Sequence, residues 1–111
     1  MSGSGPAPFS VGVDTTGERT VVAARGELDL ATAPELEAAL LPPLEAGTGV
    51  ALDLRGLQFM DSTGVRVIVA AHLAAQEHAA TLTVVVIPDG PVARVLEISG
   101  LDAVLDVATD L

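Results

Sequence analysis

The sequence predicts an α/β domain in which an N-terminal β-hairpin and parallel βαβ units build one mixed β-sheet packed with α-helices. Three observations carry that expectation. Two β-rich runs near the N-terminus are separated by turn residues, a Thr-x-x-Glu segment opens an amphipathic stretch, and strand-like and helix-like patterns alternate from residue 50 onward.

Residues 1–8, MSGSGPAP, are Gly, Ser and Pro without periodicity and lack the charged-then-apolar order of a signal peptide, so they are expected to form a disordered tail ahead of a single domain over 9–111. Phe9, Val11 and Val13 alternate, the turn-like 14–17 follows, and 20–26 supplies a second β-branched run; together they predict a hairpin. Thr32-Ala33-Pro34-Glu35 then predicts a helix start. Thr32 can cap, Pro34 fits a first turn where no N–H partner is lost, and Glu35 completes a capping box. Leu36, Leu40 and Leu44 form the apolar stripe of this helix, with Glu35, Glu37 and Glu45 off it. Pro42-Pro43 is expected to break or kink it near Leu41.

The remaining pattern reads strand 50–54, a short loop, helix 64–78, strand 81–87, helix 92–99 and strand 103–107, joined by right-handed crossovers. Val84-Val85-Val86-Ile87 is the continuous apolar run of a strand covered on both faces. Pro91 opens the third helix and Gly100 closes it.

Composition removes several classes of function. The 111 residues carry 15 acidic side chains against five basic ones, for a net charge of -10. The cations are Arg19, Arg25, Arg55, Arg66 and Arg94, with no Lys, so the footprint of a nucleic acid binder is missing. The absence of Cys rules out disulfides, thiolate metal sites and a thiol nucleophile. Arg66, Glu77 and Asp89 interrupt the most apolar region, which leaves no uncharged run of the roughly 18 residues a membrane span needs. A soluble cytoplasmic protein is the expectation.

Residues 52–68, LDLRGLQFMDSTGVRVI, hold the most informative chemistry. A strand gives way to Asp61-Ser62-Thr63-Gly64 at the head of an apolar helix. Asp, Ser and Thr all satisfy orphan N–H groups at helix starts, so each of these residues has a purely capping explanation. A cap does not account for two successive hydroxyls beside a glycine, and Gly64 in the first turn is expected to leave Ser62 sterically open.

This segment resembles the signature of STAS domains, in particular the small anti-sigma factor antagonists, whose Asp-Ser-(Ser/Thr)-Gly motif carries a phosphorylated serine. GELDLATAPEL at 26–36 resembles the family's Gly-x-Leu-Asp strand end and Thr/Ser-capped first helix. VALDLRGLQFMDSTGV at 50–65 resembles its central strand and phosphorylation loop, and PVARVLEISGLDAVLDV at 91–107 its third helix and last strand. The match spans about residues 9–108, with the three motifs in order.

The resemblance implies the STAS fold, with Ser62 as phosphoacceptor, Asp61 as its acidic neighbour and Asp29 as an acidic residue after the second strand; a bare turn-forming role for Asp29 stays open. Thr32 stands beside them, with capping as its plain explanation. Thr63, Gly64 and Val67 are expected to be exposed on the first turns of the helix and to contact a partner. Arg66 stands where relatives often carry a small residue, four positions after Ser62 on the same helical face; it can pair with a phosphoryl group or simply face solvent. The chain stops at Leu111, where relatives commonly add a final helix, which leaves the covering of one sheet face open.

Other constellations fail. Met60 stands where a nucleophile elbow needs Gly, and no Lys follows Gly47-Thr48-Gly49 as a Walker-type loop requires. His72 and His78 are six residues apart on a helix and point to different sides, so no metal site is expected. Glu27 and Asp29 fall on one strand face, weak support for acid/base catalysis in so acidic a chain.

The resemblance therefore implies a regulator, without enzymatic activity or cofactor, that works by partner switching. Unphosphorylated, it binds an anti-sigma factor with a serine-kinase ATP-binding fold and releases the sigma factor. Phosphorylation at Ser62 ends the complex, and a serine phosphatase resets it. A STAS component of a stress-signalling complex or lipid-transport system, with Ser62 only a cap, is the alternative.

Overall fold

The computed structural model describes residues 8–15 and 17–111. The expected tail lies outside the described residues over 1–7, as does Thr16 of the expected turn.

Strands β1 (Ser10–Asp14) and β2 (Thr20–Leu28) pair antiparallel, with Ser10 opposite Arg25 and Asp14 opposite Val21. This is the expected hairpin. Strands β3 (Val50–Met60), β4 (Leu82–Val85) and β5 (Asp106–Ala108) follow side by side in parallel, giving a five-stranded mixed sheet in the order β1-β2-β3-β4-β5. The crossovers contain α1 (Ala33–Glu45), α2 (Ser62–Glu77) and α3 (Pro91–Ser99).

Side-chain alternation decides which sheet face receives the helices. Val22, Ala24 and Leu28 of β2 and Leu52 and Leu54 of β3 are buried in one apolar cluster with Leu36, Leu40 and Leu44 of α1 and Ile68, Ala71 and Ala75 of α2. Helix α3 adds Val92 and Leu96. At ~25 cal/mol per Å² of apolar surface, this aliphatic layer is what holds α1 and α2 against the sheet.

Four expectations change on the structure. First, α1 runs through Pro42 and Pro43 to Glu45. The prolines fall in its last turn, where their carbonyls still accept from Ala46 (3.1 Å) and Thr48 (2.9 Å), and buried Leu44 anchors that turn in the core. Second, β3 continues to Met60 instead of yielding to a loop after residue 54, because the second half of β2 keeps pairing with it: Gly26 sits opposite Leu57 and Leu28 opposite Met60. Register shifts on either side of Arg25 and Gly26 absorb the mismatch, with Gly26 at φ 96°. Third, 101–103 wind as a 3-10 turn after Gly100 (φ 77°), which delays β5 to Asp106. Fourth, β4 stops at Val85, and Ile87, expected inside a doubly covered strand, is half exposed.

Candidate functional site

Because β2 and β3 are parallel and end level, with Leu28 opposite Met60, the connections that follow them emerge side by side at the carboxyl edge of the sheet. Residues 29–32 lead into α1 and residue 61 leads into α2. The Asp61 N–H donates to the Leu28 carbonyl at 3.3 Å and ties the two connections together.

Asp61 has extended geometry and is the N-cap of α2; its Oδ1 accepts the Thr63 N–H at 2.8 Å, and its carbonyl accepts from Gly64 (3.0 Å) and Val65 (3.3 Å). Ser62 is the first residue of the helix and is exposed, with no side-chain hydrogen bond among the described residues. Three candidates for one cap thus resolve into a single capping residue and a free hydroxyl. Thr63 is half-buried, and Arg66 is exposed one turn after Ser62 with no ion pair among the described residues.

Gly64 and Val67 correct the expected contact surface. Both lie on the core stripe of α2 with Ile68, Ala71 and Ala75, and Val67 is only 2% exposed. A Cβ on Gly64 would collide with Met60 Cγ, and would lie 2.9 Å from Met60 Sδ and 3.0 Å from Leu28 Cδ2. Without a side chain at Gly64 the first turn of α2 sits directly on the ends of β2 and β3.

Asp29 and Thr32 are brought together beside this turn. Asp29 lies in the bend after β2, beyond the strand on which Glu27 sits, and its Oδ1 accepts N–H groups from Ala31 (3.0 Å) and Thr32 (3.2 Å). The Thr32 hydroxyl donates to the Glu27 carbonyl at 2.8 Å and accepts the Asp29 N–H at 3.0 Å. It makes no side-chain cap bond to α1, so the expected capping box does not form. The Asp29 carbonyl accepts the Thr32 and Ala33 N–H groups instead, at 3.2 and 2.9 Å. Asp29 and Thr32 lock the connection; Asp61 locks its neighbour.

Elsewhere, Asp53 and Arg55 form a two-bond ion pair on β3, with Arg55 Nε 2.9 Å from Oδ1 and Nη2 3.0 Å from Oδ2. The hydrogen bond from Arg55 holds the Asp53 carboxyl below its ordinary value, against the opposing effect of burial. Their i, i+2 spacing on a strand is the signal that places them on one face. The pair lines a shallow cavity with Arg25, Gly56 and Ile87 that does not include Ser62. Among the described residues no group of three or more His, Asp or Glu side chains is assembled that could hold a metal, and no helix is long and apolar enough to cross a membrane.

Chemically, the site offers an exposed acceptor hydroxyl at a helix N-terminus, where the helix dipole favours an added phosphoryl group. No His or carboxylate bonds to Ser62 as a base among the described residues.

The family model described as Mlab, STAS domain, matches residues 11–106. An anti-sigma-B factor antagonist of Staphylococcus aureus is 35% identical over 83 residues, covering 74% of this chain and 76% of its own. Among solved structures, an anti-sigma factor antagonist from Mycobacterium paratuberculosis is similar at a TM-score of 0.83 and 24% identity, over 94% of this chain and 88% of that one. SpoIIAA is similar both as the unphosphorylated anti-sigma factor antagonist (TM-score 0.73, 22% identity, 91% and 90% coverage) and as the phosphorylated Bacillus cell fate determinant (TM-score 0.66, 23% identity, 91% and 93% coverage).

Proposed function

Since this chain belongs to the STAS domain family, we propose that it is an anti-sigma factor antagonist acting by partner switching, with Ser62 as the switch. The observation that carries the reading is the division of labour at the start of α2: Asp61 serves as the cap, and the hydroxyl of Ser62 is exposed and uncommitted. The antagonists it resembles, one of them solved in a phosphorylated form, support the same reading.

In this scheme the unphosphorylated chain binds an anti-sigma factor with a serine-kinase ATP-binding fold and displaces the sigma factor. Asp29, Thr32, Asp61, Thr63 and Arg66 face or frame the contact; buried Gly64 and Val67 shape it from beneath. The kinase transfers the γ-phosphoryl group of ATP to Ser62 Oγ, ADP departs, and a kinase base takes the hydroxyl proton. The chain is a cytoplasmic substrate and competitor, not a catalyst, and a serine phosphatase returns it to the binding state.

The energetics fit a switch that works at the interface. A phosphoryl group adds roughly 1.5 to 2 negative charges at pH 7, and at a helix N-terminus an anion gains about 0.3–1 kcal/mol, so the fold tolerates it. A partner closed over Ser62 must desolvate that charge beside Asp61. A penalty of about 3–4 kcal/mol weakens binding by about a hundredfold to several hundredfold.

The test is phosphorylation by each purified anti-sigma serine kinase of the source genome in the presence of ATP. One kinase is expected to add a single phosphate, mapped to Ser62 and absent from Ser62→Ala. Phosphate on another residue, or none with any kinase, contradicts the proposal.

A further inference from the structure

We propose that Leu30 and Phe59 are the apolar anchors of the kinase contact, standing near Ser62 at the carboxyl edge of the sheet within an acidic rim, and that the partner surface they fit is an apolar cavity bordered by Arg or Lys. The inference rests on the partner-switching reading and adds what selects the partner.

Leu30 is 78% exposed in the connection between β2 and α1, and Phe59 is 47% exposed one residue before the end of β3. Single exposed apolar side chains are common on protein surfaces. These two are distinguished by where they stand. Leu28 pairs with Met60 and its carbonyl holds the Asp61 N–H, so Leu30, two residues past Leu28, and Phe59, one before Met60, stand at adjacent strand ends next to the turn that carries Ser62. Met60 is buried in the core, so alternation sends Phe59 to the opposite face of the sheet, while Leu30 stands exposed in the connection after β2. At the other end of the same strands, the connections into β3 and β4 carry only Ala, Gly, Thr and His over 46–49 and 78–81. Leu30 and Phe59 are therefore exposed at the edge that holds Ser62, whereas the connections into β3 and β4 at the far end carry no large apolar group.

The rim sets the sign of the partner. Glu27 pairs in register with Phe59, while Asp29 and Asp61 flank Leu30 and Ser62. Asp29 and Asp61 each commit Oδ1 to the backbone and leave Oδ2 without a partner among the described residues. Within this acidic edge an aromatic and a Leu have the character of interface anchors, and their charge complement is a cationic border. The same carboxylates oppose a phosphoryl group on Ser62 once a partner has excluded water, which couples recognition to release.

The experiment measures Kd for the full chain against the purified anti-sigma serine kinase that phosphorylates it. Leu30→Ala and Phe59→Ala are each expected to raise Kd at least tenfold, with Leu30→Met and Phe59→Leu restoring most of the affinity. Leu73→Ala and Ile98→Ala, comparably exposed but away from that edge, are expected to stay within twofold. Leu73 lies 11 residues beyond Ser62 along α2, about 16 Å from it, and Ile98 is in the last turn of α3. Affinity is also expected to fall as salt rises. Leu30→Ala and Phe59→Ala binding like wild type, while Ser62→Asp still loses affinity, overturns the anchors and leaves partner switching intact. An equal loss in all four alanine variants, or a salt-independent Kd, overturns them too. If wild type binds none of the kinases, partner switching fails, and the anchors with it.

Discussion

Asp61 and Thr63 are joined across the first turn of α2 by a 2.8 Å hydrogen bond from the Thr63 N–H to Asp61 Oδ1, and the residue between them, Ser62, is left without a structural task. Stability should divide accordingly. Asp61→Ala is expected to lose about 0.5–2 kcal/mol, the worth of an N-cap, whereas Ser62→Ala should change stability by less than about 0.5 kcal/mol. Urea denaturation of the two variants checks this. A larger loss for Ser62→Ala would make the serine a structural residue after all.

The core stripe of α2 yields a second expectation. Gly64→Ala gains up to about 1 kcal/mol of helix propensity but drives a methyl into Met60 and Leu28, an overpacking cost of about 1–3 kcal/mol. A net loss of stability in denaturant melts is expected, and a stabilised variant would refute the close approach. Val67→Asp buries an unpaired carboxylate and should unfold the chain outright, so it cannot serve as an interface probe.

Thr32 makes the third. Its hydroxyl joins the Glu27 carbonyl to the Asp29 N–H, so Thr32→Ala leaves both half-buried groups without that partner, at a cost of about 1–3 kcal/mol. Thr32→Ser keeps the hydroxyl and should recover most of it. Equal stabilities for the two variants, measured by thermal melting, would show that the hydroxyl is idle.

Asp53 and Arg55 give a pH dependence whose sign is fixed. The Arg55 hydrogen bond lowers the Asp53 carboxyl below 3.8, so its charged form is favoured by folding. That contribution is complete above about pH 4 and is lost as pH falls through the lowered folded value. The gap in Tm between wild type and Asp53→Asn should therefore close on going from about pH 7 to about pH 2. A gap that widens with acid would reverse the assignment.

The order of elements was legible because local signals agreed with one another. The leucine stripe of α1, the Pro91 and Gly100 boundaries of α3 and the alternation of β1 and β2 each act within a few residues. What escaped was set by tertiary partners. Continued pairing with β2 carries β3 past residue 54, and Leu44 keeps α1 wound through two prolines. At the site, the DSTG run marks the start of a helix, but three capping residues in a row cannot announce which one caps. Nor can a sequence show that Thr32 turns back to the end of β2. Gly64 and Val67 share the i, i+3, i+4 spacing of Ile68, Ala71 and Ala75, but small residues recur all round α2, so only packing on the sheet settles which face is buried. Leu30 and Phe59 left no periodic signal; only their exposure beside paired strand ends singles them out.

The most direct test of the switch is the affinity of the chain, with and without a stoichiometric phosphate on Ser62, for its purified anti-sigma kinase by titration calorimetry. Phosphorylation is expected to raise Kd by about a hundredfold or more with the fold unchanged. Equal affinities for the two forms would contradict partner switching at Ser62.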